Sequence, residues 1–212
     1  MEQRLCTFFD RLEIFDPELR KRLRELLQVI YLQRGECLYR QGDTLSDYFL
    51  KLEGGLARSY FIMENGKETT VCFDNSRNGC LTCDIPQQGA AWIANTTLEA
   101  MTSFYIVAIP VAEVDELGRQ YPEVFGATYR LSRESLRFYQ ESLRMRTNVP
   151  ARERVIWFNR RFPEFNGLAK EWQIASYLGI HQVTLCNIRA QLRNESEPQA
   201  AAQNVPTAQS IG

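Results

Sequence analysis

The chain has 212 residues, of which 44% are hydrophobic and 24% are charged, and its formal net charge is −1. This apolar content is enough for a folded core and excludes a chain that is disordered throughout. No run approaches the roughly 18 consecutive apolar residues that cross a bilayer, and the first residues lack the pattern of a secretory signal. We therefore expect a cytoplasmic protein, with no membrane partner, whose six cysteines are reduced thiols.

The charges are distributed unevenly. Residues 148–193 carry seven Lys or Arg against three Asp or Glu, whereas residues 1–147 carry 18 against 21. A small basic segment joined to a larger, mildly acidic one indicates that the two parts have different roles, and that the basic part meets a polyanion, which a basic surface attracts. A surplus of four charges is common on protein surfaces, so the charge distribution alone does not identify a polyanion as the partner.

The N-terminal part of the chain changes from a helical to a strand pattern. Residues 5–30 have apolar side chains every three or four positions, and Pro17 after Asp16 is typical of a helix start. From Tyr31 to about Pro110, short runs of β-branched and aromatic residues alternate with glycine turns. Many short strands at near-regular spacing predict a β-roll or sandwich.

Residues 122–147 form one long helical pattern, about 38 Å at 1.5 Å per residue. Its apolar stripe consists of Phe125, Tyr129, Leu136, Tyr139 and Leu143. A small β-roll is too short to cover this length, so the stripe is predicted to pack against the same helix of a second copy. The alternative is a helix that packs wholly on its own domain.

Residues 148–150 break the helical pattern and predict a hinge, and a helix-turn-helix pattern follows within residues 171–192. The apolar wedge between the two helices is formed by Ile174, Leu178, Ile180, Leu185 and Ile188. Ala175 supplies the small side chain where the helices cross, and Gly179 takes the positive φ of the tight turn. An ordinary helical hairpin is the alternative.

The second helix of this motif is predicted to run from near His181 to about Arg193 and to present a DNA-reading surface. Gln and Asn pair with adenine and a Val methyl touches the thymine methyl, whereas Lys and Arg contact phosphates. The candidate DNA-binding residues are Lys170, His181, Gln182, Val183, Thr184, Asn187, Arg189 and Arg193.

Four segments, at residues 34–43, 48–60, 151–155 and 174–192, resemble the cyclic-AMP receptor protein superfamily of bacterial regulators (Crp/Fnr type) in the correct order. The first two resemble the entry and the next strands of its cyclic-nucleotide-binding β-roll. The third resembles the start of the helix after the dimerisation helix, and the fourth its winged helix-turn-helix. The resemblance covers roughly residues 5–193.

The resemblance implies an α+β fold with an N-terminal cyclic-nucleotide-binding-like β-roll, a long dimerisation helix and a C-terminal (winged) helix-turn-helix. We expect the sensor roll at residues 1–119, the dimerisation helix at 120–147, the DNA-binding domain at 148–193 and a disordered tail at 194–212. The implied partners are double-stranded DNA, a second copy in a homodimer and RNA polymerase.

The sequence departs from this family in its sensor. Family members that bind cyclic nucleotides hold the phosphate with an Arg and a Glu near residues 79–100, whereas residues 78–118 contain no Lys or Arg. A phosphodiester would lose its strongest hydrogen bonds there, so cyclic-nucleotide sensing is not expected. An apolar pocket for an unidentified small-molecule effector is predicted between the roll and the long helix, at Leu81, Cys83, Trp92 and Tyr129. The alternative is that Trp92, Tyr129 and Tyr139 are simply core residues.

The reading helix departs as well, because Val183 and Asn187 stand where family members often carry Glu and Arg. This predicts a different operator. The function expected is a sequence-specific DNA-binding transcription regulator, and the alternative is a ligand- or protein-binding sensor or scaffold with a vestigial DNA-binding domain.

Catalysis and metal chemistry have little support. His181 is the only histidine, so the sequence offers few residues for a histidine-dependent catalytic triad or a zinc hydrolase site. We therefore expect no enzyme. Cys80 and Cys83 have redox or metal spacing, but a structural zinc needs about four ligands. We expect two ordinary thiols and no metal or cofactor, with a redox or metal switch as the alternative.

Overall fold

The computed structural model describes residues 1–75 and 91–202. Two N-terminal helices come first, α1 Glu2–Arg11 and α2 Pro17–Leu26. The carboxylate of Asp16 accepts a hydrogen bond from the backbone N–H of Leu19 at 2.8 Å and so caps α2. Pro17 occupies the first turn, where its missing N–H removes no helical hydrogen bond. The predicted helix start at Pro17 is confirmed.

Nine strands in the described part of the chain form three antiparallel sheets, with the orders β1-β9-β4, β2-β8-β5-β6 and β3-β7. The strands are β1 Gln28–Leu32, β2 Cys37–Tyr39, β3 Thr44–Leu45, β4 Asp47–Lys51, β5 Ala57–Ile62, β6 Glu68–Asp74, β7 Trp92–Ile93, β8 Thr97–Ala100 and β9 Phe104–Pro110. The turn between β5 and β6 lies at Asn65 and Gly66, and Gly66 has a φ of +78°.

Sheet β1-β9-β4 separates two cores, because successive side chains of a strand point to opposite faces. Phe49 and Ala108 belong to the roll interior, together with Trp92. Leu50 and Ile109 pack on the other face, against α1 and α2. The N-terminal helices therefore cover the outside of the roll.

Helices return at the end of β9. They are α3 Val111–Gln120, α4 Pro122–Asn148, α5 Ala151–Arg161, α6 Glu171–Leu178 and α7 Gln182–Ala202, with a 3-10 turn at Pro163–Phe165. The long helix predicted at residues 122–147 is confirmed as α4. Beyond Pro110 the described residues contain no strand, so a wing is not among them.

Helix α7 is longer than the sequence suggests. We expect a helix that ends near Arg193 and a disordered tail from residue 194, whereas α7 continues to Ala202. The apolar spacing that marks the helix stops at Leu192, which is why the pattern gives no sign of the extension. The rest of the expected tail, residues 203–212, lies outside the described residues.

The C-terminal helices share a core with the roll. Phe73 on β6 is fully buried, and its ring lies 4.8–6.4 Å from the rings of Phe158, Phe162, Phe165 and Tyr177. Edge-to-face and tilted aromatic pairs at such distances stabilise a core beyond the burial of their area. Helices α5 and α6 are therefore anchored to the β-roll as well as to each other.

Helix α6 also covers the edge of a sheet. Among the described strands β6 is the last of its sheet, and its Thr70 N–H donates to the Ser176 hydroxyl of α6 at 3.0 Å. Beside it, the buried Arg58 guanidinium lies 4.0 Å from the Tyr60 ring centroid and 5.4 Å from that of Trp172. A sheet edge left open presents unpaired backbone groups to other chains, so α6 protects β6 from edge-to-edge pairing.

A buried ion pair lies near this junction. Lys51 Nζ donates to Asp74 Oδ1 at 2.9 Å and to the Gly55 carbonyl at 2.8 Å. Burial raises the pKa of Asp74 to about 6, against the lowering effect of Lys51. Loss of either partner would leave a buried charge without its counter-ion, so we assign the pair a structural role.

Candidate nucleic-acid interface

Helices α6 and α7 are joined by a tight turn at Gly179. Gly179 has φ +65° and ψ 39°, and the N–H of Ile180 donates to the Ala175 carbonyl at 3.0 Å. Ala175 is buried in the same cluster as Ile174 and Leu185. This geometry matches the predicted turn and wedge, so the helix-turn-helix is confirmed.

The substitution Gly179→Ala should lower the free energy of unfolding by about 1–2 kcal/mol, because an L-residue is strained in the left-handed region. The added Cβ would lie 3.6 Å from Arg154 Nη1, an ordinary van der Waals distance, so the loss comes from the backbone and not from a clash. Gly126→Ala within α4 is the matched control and should raise stability by about 0.5–1 kcal/mol. Urea unfolding measures both, and an unchanged midpoint for Gly179→Ala would contradict the assignment.

The outward face of α7 is polar with one large apolar side chain. Its exposed residues at the head of the helix are His181, Gln182, Val183, Thr184, Cys186 and Asn187. Val183 is 70% exposed, while Leu185 and Ile188 are buried beneath the helix. A major groove offers hydrogen-bonding base edges and thymine methyl groups, and this face presents the complementary groups.

Arg189 faces inward instead. Its Nη2 donates to Asn166 Oδ1 at 2.8 Å, its Nη1 pairs with the Glu171 carboxylate, and its side chain is only 18% exposed. The guanidinium therefore joins α7 to the start of α6 and is already paired with a carboxylate. Lys170 and Arg193 are exposed and remain candidates for phosphate contacts.

Cys186 and Arg154 are two residues of this region that sequence reasoning missed. Cys186 lies three residues after Val183 on the exposed face, and helical spacing alone was a sufficient signal for it. Arg154 donates from Nε to the Val149 carbonyl at 2.6 Å and from Nη1 to the Leu178 carbonyl at 3.0 Å. It ties the break after α4 to the turn between α6 and α7, a link that no local pattern reveals.

Of the predicted effector residues, the structure describes Trp92 and Tyr129, and it places them in different surroundings. Trp92 is buried in the roll interior, whereas Tyr129 is 65% exposed on α4. Tyr129 belongs to the outward stripe of α4. Leu81 and Cys83, like Cys80, lie outside the described residues.

Helix α4 carries a row of large exposed apolar side chains. Phe125, Tyr129, Leu136 and Leu143 are each more than half exposed, and their spacing follows a heptad repeat. The opposite side of the helix is buried, through Val124, Ala127, Phe138 and Ser142. The helix is thus not packed wholly on its own domain, and it leaves a seam suited to a second helix.

No family model matches the chain. The chain is 24% identical over 194 residues to the transcriptional activator protein FnrA of Stutzerimonas stutzeri, which covers 85% of this chain and 77% of FnrA. The structure of FixK2 from Bradyrhizobium japonicum is similar with a TM-score of 0.64 at 15% identity, over 80% of this chain and 86% of FixK2.

The chain has the Crp/Fnr fold. The c-di-GMP-responsive global regulator CLP of Xanthomonas campestris shares it, with a TM-score of 0.66 at 10% identity over 85% of this chain and 93% of CLP. The resemblance predicted from the sequence is confirmed, and Crp/Fnr regulators bind DNA and act as dimers. Within residues 1–75 and 91–202, no helix has both the length and the apolarity to span a membrane.

Proposed function

We propose that this Crp/Fnr-type protein is a sequence-specific DNA-binding transcription regulator that works as a homodimer. The observation that carries the proposal is the head of α7, where Gln182, Val183, Thr184 and Asn187 project outward from a helix-turn-helix. Two such helices, paired through α4, would enter successive major grooves about 34 Å apart. The named relatives support DNA-binding regulation as the general function.

The finer points are carried by the resemblance. We propose that the protein acts in the cytoplasm, contacts RNA polymerase and has no catalytic activity. Its effector is not a cyclic nucleotide, since residues 78–118 supply no cation for a phosphate. The effector instead changes the packing of the roll against α4 and so re-aims the two reading helices.

A gel-shift titration on the DNA upstream of the protein's own gene tests the proposal. Binding by the wild-type chain should weaken steeply as salt rises, because phosphate contacts release counterions. Gln182→Ala should weaken binding to the preferred site roughly 5- to 150-fold, the range expected for one base contact. Gln28→Ala on β1 is the control, and it should bind like the wild type because its exposed side chain lies on the sensor.

A second candidate is a sensor or scaffold with a vestigial DNA-binding domain. It is favoured by the uncharged Val183 and Asn187 and by the inward Arg189, which leave the reading face with few cations. DNA binding that is equally weak for every sequence, and unchanged by Gln182→Ala, would favour this candidate and contradict the proposal.

A further inference from the structure

A cavity of about 210 Å³ lies on the outer side of the β-roll. Phe8 and Phe9 of α1 and Leu23 of α2 form one wall, and Leu50 and Ile109 of the sheet form another. Residues 124–139 of α4 close the third side. Elements from four separate parts of the chain therefore line one space.

This cavity is separate from the roll interior. Leu50 and Ile109 line it, whereas their strand neighbours Phe49 and Ala108 point through the sheet into the interior. The interior is occupied by aromatic rings, including Tyr39 and Phe49, which stack at 5.9 Å. The cavity thus lies behind the sheet, between it and α4.

The chemistry of the walls defines what fits. None of the described residues that line the cavity is charged, and the lining is mostly aliphatic and aromatic. Thr128, Ser132 and Ser135 add hydroxyl groups along α4. Thr128 donates its hydroxyl hydrogen to carbonyls of its own helix, so the two serines are the better donors to a guest. A charged group placed among the buried lining residues would lose its hydration without gaining a counter-ion.

We propose that this cavity is the effector site and that it takes an uncharged, mostly hydrocarbon molecule with one hydrogen-bonding group. An apolar cavity of about 150 Å³ stays dry and accepts benzene, which scales to about eight to ten heavy atoms here. The inference rests on the proposed regulatory function. It also connects to dimerisation, because Leu136 and Tyr139 line the cavity and belong to the stripe of α4.

The test compares n-octanol with sodium octanoate, which have the same chain length but differ in charge. Calorimetry on the full chain should show one saturable octanol site per protomer, and octanol should raise the melting temperature by mass action. Octanoate should bind at least tenfold more weakly because its carboxylate must be desolvated. Equal or tighter binding of octanoate would overturn the proposed ligand class.

Cavity-filling variants locate the site. Ala127→Leu and Ser135→Leu should each weaken octanol binding at least tenfold, since Ala127 and Ser135 line the cavity. Ala112→Leu adds the same bulk at an exposed position of α3 and should leave binding unchanged. If Ala127→Leu does not fold, octanol binding by Ser135→Leu alone tests the location of the site. Absence of octanol binding, or binding that both filled variants retain, would overturn the site.

The DNA gel shift separates this inference from the proposed function. Octanol binding by a chain that binds no specific DNA would overturn the regulator and its effector together, while the cavity would stand as a binding site. Specific DNA binding by a chain that binds no octanol would overturn the cavity alone.

Discussion

Replacing Phe73 with alanine is expected to lower the free energy of unfolding by about 3–5 kcal/mol. The reason is its place in the fold: a strand residue with no exposed surface whose ring contacts α5, α6 and the 3-10 turn. Removing the ring leaves a cavity between the roll and the C-terminal helices. Guanidinium unfolding of the full chain measures the loss.

Phe15→Ala is the matched control. Phe15 is 63% exposed and should cost no more than about 0.5 kcal/mol. Because the partners of Phe73 lie on both sides of the junction, hydrogen exchange should rise in β6 and in α6 together in Phe73→Ala. A loss below about 1 kcal/mol, or faster exchange confined to one side, would show that the two parts do not share a core.

Replacing Leu143 with aspartate is expected to convert the proposed homodimer into monomers at micromolar concentration. Leu143 is 62% exposed on α4, and in a two-fold pair each substitution acts twice. Burying one Leu side chain contributes about 1.5–3 kcal/mol, so losing two raises the dissociation constant by roughly 10²- to 10⁴-fold. Sedimentation velocity over a concentration series measures this constant.

Arg144→Asp places the same charge at the next position of α4, an exposed one outside the stripe, and should leave the dimer largely intact. DNA binding should follow the oligomeric state, because a monomer has only one reading helix to place in the groove. A dimer that survives Leu143→Asp but dissociates with Arg144→Asp would place the interface on another face of α4.

Local signals account for the parts of the fold that the sequence predicts. The start of α2, the β5–β6 turn and the turn at Gly179 each depend on backbone demands that one or two residues meet, such as a cap or a positive φ. The long α4 and its stripe are equally visible, because helical periodicity repeats over 27 residues.

The features that the sequence does not predict depend on contacts between residues that are distant in the chain. The type and position of Arg189 predict a phosphate contact. Its guanidinium instead turns inward to Asn166 and Glu171, which lie 23 and 18 residues earlier in the chain. In the sequence Phe73 resembles many other strand residues, because the residues around it do not indicate that α5 and α6 pack on it. The cavity has no local signal in the sequence for the same reason, because elements from four parts of the chain form it.

The length of α4 determines how far its end moves when the helix tilts by a small angle. At 1.5 Å per residue, its 27 residues extend about 40 Å, so a tilt of about 5° around one end displaces the other by about 3.5 Å. That displacement equals roughly one base-pair step along DNA. Because Phe73 and Thr70 tie α6 to the roll, a tilt of α4 in the proposed homodimer would move each roll together with its reading helix and change the separation of the two reading helices.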